Sequence, residues 1–245
     1  DALGVRRARD GGADRVEVCR DLSCGGLTPA FDEVAAALEV APAGGVQVLV
    51  RPRPGDFVHS REEVDRIASD IAQLASVGRG ATVPLGFVVG VLEPGGRINV
   101  DASARLRDEA GEAPLTFHRA FDVCRDPHSA LEVLIRHGVD RVLTSGQEAT
   151  APQGIPLLRE LVSQADGRIV VMPGCGVRAD NIARIESETG AREFHTSARR
   201  IVESRMNYRN ERVPMGSCAV TSEFETVQTD RREVARYLSE PSQLA

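Results

Sequence analysis

Residues 46–92 read VQVLVRPRPGDFVHSREEVDRIASDIAQLASVGRGATVPLGFVVGVL, and the alternation inside this stretch decides the fold. VQVLV is a short run of branched aliphatics, closed by Pro52 and Pro54. Residues 62–77 then carry a helical period and stop at Gly78. Residues 83–92 return to a short apolar run. Two such runs joined by a helical crossover form a parallel βα unit. Runs rich in Val and Leu suit strands covered on both faces.

The same alternation continues in both directions. Upstream, residues 2–9 read as a helix closed by Gly11 and Gly12, residues 15–19 as a strand, and residues 31–40 as a helix announced by Thr28-Pro29. Downstream, helices are expected over 102–110, 127–137, 156–165 and 180–188, and strands over 115–118, 141–144, 169–172 and 193–197. That makes seven strands with a helix in front. A (β/α)8 TIM barrel needs eight, so the first strand is expected ahead of Asp1; an open seven-stranded sheet is the alternative. No domain boundary is visible. Residues 1–245 read as one TIM-barrel domain, with a barrel core over 1–198 and a C-terminal loop and helix over 199–245. Residues 201–230 have no clear period, and 231–238 form a final short helix.

The 245 residues suit one closed α/β barrel, and a hydrophobic fraction of 42% is enough for its core. The net charge is −6, and the short arginine pairs are flanked by acids, which argues against a nucleic-acid surface. No run of about 18 apolar residues is present, so no membrane span is expected. The five cysteines (Cys19, Cys24, Cys124, Cys175 and Cys218) are scattered, which points to a reducing, cytoplasmic location rather than a disulfide framework. The chain has no lysine, which removes Schiff-base chemistry on a lysine amine.

Strand side chains alternate. Assigning the apolar parity to the helix layer sends Glu17 and Cys19 into the barrel from one strand. From the next come Gln47, Arg51 and Arg53, then Thr116 and His118, and finally Glu193, His195 and Ser197. Barrel active sites lie at the carboxyl ends of the strands, where these residues cluster. They form either a ligand site or an ion-pair network plugging the barrel, since buried charges must be paired or solvated. After the strand at 169–172 comes Pro173-Gly174-Cys175-Gly176, a glycine-rich turn suited to an anion or simply to a tight bend. Asp122 is placed either to orient His118 or to pair with Arg119.

Several segments are similar to the CutC family of copper homeostasis proteins: GGADRVEVC (11–19), GGLTP (25–29), RPRPGDFVHS (51–60), TFHRAFD (116–122), RVLTSG (141–146), RIVVMPGCGV (168–177) and EFHTSAR (193–199). The resemblance covers nearly the whole barrel in order. It implies a TIM barrel, a cytoplasmic homo-oligomer (dimer or tetramer) and a role in binding or trafficking Cu(I). Of the copper ligands proposed for the family, the cysteine ending the second strand matches Cys19; the other belongs to a first strand that this sequence does not show. Cys175 stands where the family has glycine, and Cys24 is also particular to this chain.

Two functions follow. One is Cu(I) binding with Cys19 and Cys24 as soft donors. The other is an enzyme for a small anionic or sugar-like substrate. In it His118, His195, Glu17 and Asp122 supply acid–base chemistry. Arg51, Arg53, Arg119, Ser145, Gly174, Gly176, Ser197 and Arg199 hold the ligand.

Overall fold

The computed structural model describes residues 1–210, 212 and 224–239. Six strands form one parallel sheet in sequence order: β1 (Val16–Val18), β2 (Val46–Leu49), β3 (Leu85–Val89), β4 (Leu115–Phe117), β5 (Arg141–Thr144) and β6 (Val170–Pro173). Each pairs with its predecessor, with Val16 opposite Val46, Val48 opposite Phe87 and Val142 opposite Val171. The sheet curls into most of a barrel. Outside it lie helices α1 (Ala2–Asp10), α2 (Phe31–Leu38), α3 (Arg61–Val77), α4 (Val100–Ala110), α5 (Pro127–Arg136), α6 (Ile155–Ala165), α7 (Ile182–Thr189) and α8 (Arg231–Ser239).

Local chemistry sets the helix boundaries. At α3, Ser60 Oγ accepts the Glu63 N–H while the Glu63 carboxylate accepts the Ser60 N–H, a reciprocal cap. At α5, Asp126 caps Ser129 and Pro127 occupies the first turn, where no N–H is needed. On α3 the buried positions Val64, Ile67, Ala68, Ile71 and Leu74 recur at helical spacing. Ile67, Ile71 and Leu74 are fully buried, each worth about 1.5–3 kcal/mol relative to exposure. Val46, Val48, Phe87 and Phe117 supply the sheet side of this core. The turn into β2 needs glycine: Gly45 has φ +84°, and a Cβ there would sit 1.9 Å from the Pro84 carbonyl oxygen.

Two sequence expectations need correction. Residues 193–197 do not form a paired strand. They run extended beside β6 and make one ladder bond, His195 N–H to Pro173 O at 2.9 Å. Residues 201–230 are not simply loop: β7 (Arg199–Glu203) and β8 (Glu225–Thr229) form an antiparallel pair, with Ile201 opposite Val227. The remainder of the expected C-terminal loop (residues 211, 213–223 and 240–245), including Cys218, lies outside the described residues.

The sheet leaves a seam between β1 and residues 193–197. Val16 donates to Gly45 beside β2, so the N–H and C=O of Glu17 point the other way, toward the seam. Side chains span it instead of backbone. Glu193 binds Arg15 from the first side and Arg141 at 2.8 Å from β5. His195 meets Glu17.

Candidate functional site

A cavity of about 630 Å³ runs along the seam, between β1, residues 192–199 and helices α1, α7 and α8. Glu17, Cys19, Gln47, Thr116, His195 and Arg199 are among its walls. The parity of β1 aims Glu17 into it, between the outward Val16 and Val18. There Glu17 Oε2 lies 3.3 Å from His195 Nε2, and the two side chains are 17% and 34% exposed. Burial alone would raise the Glu17 carboxyl, but the charge and hydrogen bond of His195 bring it below the usual carboxylate range. Burial would likewise lower His195, but Glu17 outweighs it and raises the imidazole. The two shifts agree in direction, each partner favouring the charged form of the other, and among the described residues Nδ1 of His195 makes no hydrogen bond.

His118 follows β4 directly and is buried. Its Nδ1 accepts the Ala120 N–H at 3.1 Å, which places the ring proton of the neutral form on Nε2. Burial, then the nearby Arg51 charge, pushes its pKa down to about 4, so the ring is neutral at pH 7. The Phe57 ring stands 4.9 Å away, centroid to centroid. The backbone of Gly90 leaves the space that the imidazole fills.

Arg51 is 6% exposed and meets no carboxylate. Its guanidinium donates to the carbonyls of Cys24 (3.2 Å), Gly26 (3.3 Å) and Gly55 (2.7 Å), and stacks over Phe57 at 5.0 Å. It thereby ties the loops after β1 and β2 together. Its Nε is buried without a partner. Arg53 is held by Glu63 at 2.6 Å and by Asp56 at 3.1 Å.

Asp122 does not reach His118. It accepts from Arg119 Nε at 2.7 Å, Thr144 Oγ1 at 2.5 Å and the Ser145 N–H at 2.9 Å. Arg119 also donates to Ser145 Oγ. This cluster pins the loops after β4 and β5. Gly174 continues β6 by donating to Thr144 O. Gly176, Ser197 and Arg199 line a second cavity of about 360 Å³.

Cys19 faces the main cavity, but burial, then the Glu17 charge, pushes its thiol up to about 11, so it is protonated at pH 7. Cys24 Sγ donates to the Asp21 carbonyl at 3.0 Å. Among the described residues no group of three or more His, Cys, Asp or Glu is gathered for a metal.

Gln47 has a larger part than its sequence suggested. It is 5% exposed and lines the cavity, and its Oε1 accepts no hydrogen bond. Its amide lies over Gly86, where a Cβ would come within 2.4 Å of Oε1. The parity that finds Glu17 also points Gln47 inward; only the structure shows that its acceptor is left open. The Arg15–Glu193–Arg141 cluster was likewise not legible, because Arg15 and Arg141 stand at strand starts.

Comparison with known proteins gives one family. The model of the CutC family matches residues 2–200. A "family protein CutC" of Parabacteroides distasonis is 52% identical over 231 residues, covering 94% of this chain and 93% of that protein. The human "Copper homeostasis protein cutC homolog" is 42% identical over 227 residues, covering 93% and 81%. Among solved structures, the putative copper homeostasis protein CutC from Streptococcus agalactiae matches with a TM-score of 0.67 and 31% identity, over 74% of this chain and 86% of that one. A structure titled "Native KDPGal structure" matches at TM-score 0.54 and 15% identity, covering 97% and 86%, and shares the α/β-barrel fold alone.

Proposed function

This chain belongs to the CutC family, and on that premise we propose that its strand-end pocket binds a small hydroxylated organic anion and exchanges a proton with it through His195. The observation that carries this reading is the Glu17–His195 pair at 3.3 Å, set in the wall of the main cavity. Glu17 fixes the imidazole through Nε2 and stabilises its protonated form. His195 then works through Nδ1 as general acid and, once neutral, as general base. His118, kept neutral by burial, adds no charge beside Glu17. With no lysine in the chain, the chemistry runs without a lysine Schiff base.

The test is a thermal-shift screen of sugar acids and hydroxy acids against the intact protein and His195→Gln. A ligand that stabilises the first and acts on the second at least about ten-fold more weakly supports the reading. A blank screen, or equal response of both proteins, overturns it.

Cu(I) handling in the cytoplasm by a homo-oligomer is the second reading. It is supported by the names of the relatives and by the position of Cys19 on the cavity wall. Thiolate is the form that binds Cu(I), so copper capture at Cys19 requires loss of a tightly held proton. Competition with a chelator, comparing the intact protein with Cys19→Ser, decides it: equal and weak affinities would remove Cys19 as a copper ligand.

A further inference from the structure

The arginines around the strand ends are nearly all committed. Arg15 and Arg141 hold Glu193. Arg51 holds three carbonyls. Arg53 holds Glu63 and Asp56, and Arg119 holds Asp122. Arg199 differs: among the described residues no acceptor takes a hydrogen bond from its guanidinium. It stands at the start of β7, on a wall that the two cavities share.

The second cavity is positive and firmly built. Its other cations are already balanced, Arg178 by Asp180 at 3.1 Å and Arg236 by Glu233 at 3.0 Å, so Arg199 leaves one charge in excess. The loop on the opposite wall is fixed from both sides. Asn181 Oδ1 accepts the Arg178 N–H at 2.8 Å, and Asn181 Nδ2 donates to Gly176 O at 3.0 Å. Gly176 sits at φ +73°, and a Cβ there would lie 2.9 Å from Thr150 Cβ. Ser197 and Ala198 join the two cavities.

We infer that the second cavity is the subsite for a phosphoryl group, held by Arg199, and that the ligand of the main pocket is a phosphorylated small molecule spanning both. An uncommitted guanidinium matches a phosphate geometrically and electrically. A cavity of about 360 Å³ accommodates such a group but leaves the rest of the ligand to the main pocket, beside His195. This inference rests on the pocket reading above for the reactive end of the ligand, but not for the phosphoryl end.

The experiment is a titration of the intact protein with inorganic phosphate, read by backbone amide shifts and by calorimetry, with chloride matched for ionic strength. Saturable binding that moves the amides of Gly176, Ser197 and Arg199 is expected. Arg199→Ser should weaken it at least about ten-fold, and the double change Arg178→Ser with Asp180→Ser, which removes a balanced pair and leaves the net charge of the site unaltered, less than about two-fold. Arg199→Lys, which keeps the charge and loses the fork, guards against misfolding and should fall between wild type and Arg199→Ser. Absence of saturable binding, or wild-type affinity in Arg199→Ser, overturns the subsite. Phosphate binding kept by His195→Gln together with a blank sugar-acid screen would retire the proton-exchange reading alone. A hit in that screen without phosphate binding would retire the subsite alone.

Discussion

The imidazole of His118 fills the space that a side chain on Gly90 would occupy: a Cβ there would lie 2.3 Å from Cε1 and 2.4 Å from Nδ1. Gly90 therefore sets where His118 stands. Gly90→Ala forces the ring out of its buried place. The expected cost is about 1–3 kcal/mol, as for other overpacked sites. The His118 pKa should also rise from about 4 toward the ordinary histidine value as the ring meets water. Urea unfolding and histidine ring NMR measure the two effects; an unchanged titration would show that the ring is not held by Gly90.

The Glu17–His195 pair predicts a pH window. His195 is raised in the folded state, so its contribution is complete below the unfolded value and disappears as pH rises through the folded one. Glu17 is lowered, so its contribution is present above the unfolded value and is lost as pH falls through the folded one. The stability difference between wild type and Glu17→Gln should therefore be largest between about pH 4.3 and pH 6.5. In Glu17→Gln the His195 titration should fall below the ordinary histidine value, because burial remains after its partner charge is gone. A flat difference across that range would refute the pair.

Arg51 predicts a structural effect. Arg51→Met leaves the carbonyls of Cys24, Gly26 and Gly55 without their donor and should cost about 2–4 kcal/mol. Arg51→Lys should recover only part of this, since one ammonium cannot copy the planar fork. Chemical denaturation compares the three proteins. Equal stability of Arg51→Met and wild type would show that the loops do not depend on this tie.

Gln47 predicts a packing effect. Its Oε1 makes no hydrogen bond and lies over Gly86, so Gln47→Leu should change stability by no more than about 1 kcal/mol. Chemical denaturation compares the two proteins, and a loss well beyond that would show that the core depends on the amide.

Much of this was written in the alternation of the chain. The parity of VEV at 16–18 and of VQVL at 46–49 put Glu17 and Gln47 inside, and the structure agrees. His118 and His195 also stand where alternation placed them. The partners were less legible. Asp122 is three residues from Arg119 and four from His118, and spacing alone does not choose; Thr144 and Ser145, contributed by a different strand, decide in favour of Arg119. The β7–β8 pair escaped because neither strand buries a face: Arg199, Arg200 and Ile201 are all exposed, so no period of two appears in the hydrophobic pattern. Residues 193–197 have the strand alternation, yet β6 gives them a single ladder bond.

The Glu63 carboxylate has a consequence beyond its own helix. It accepts the Ser60 N–H at the start of α3, pairs with Arg53 at 2.6 Å and faces His59 at 3.4 Å. One charge therefore fastens both the loop after β2 and the first turn of the helix that follows it, so the two should loosen together when that charge is removed.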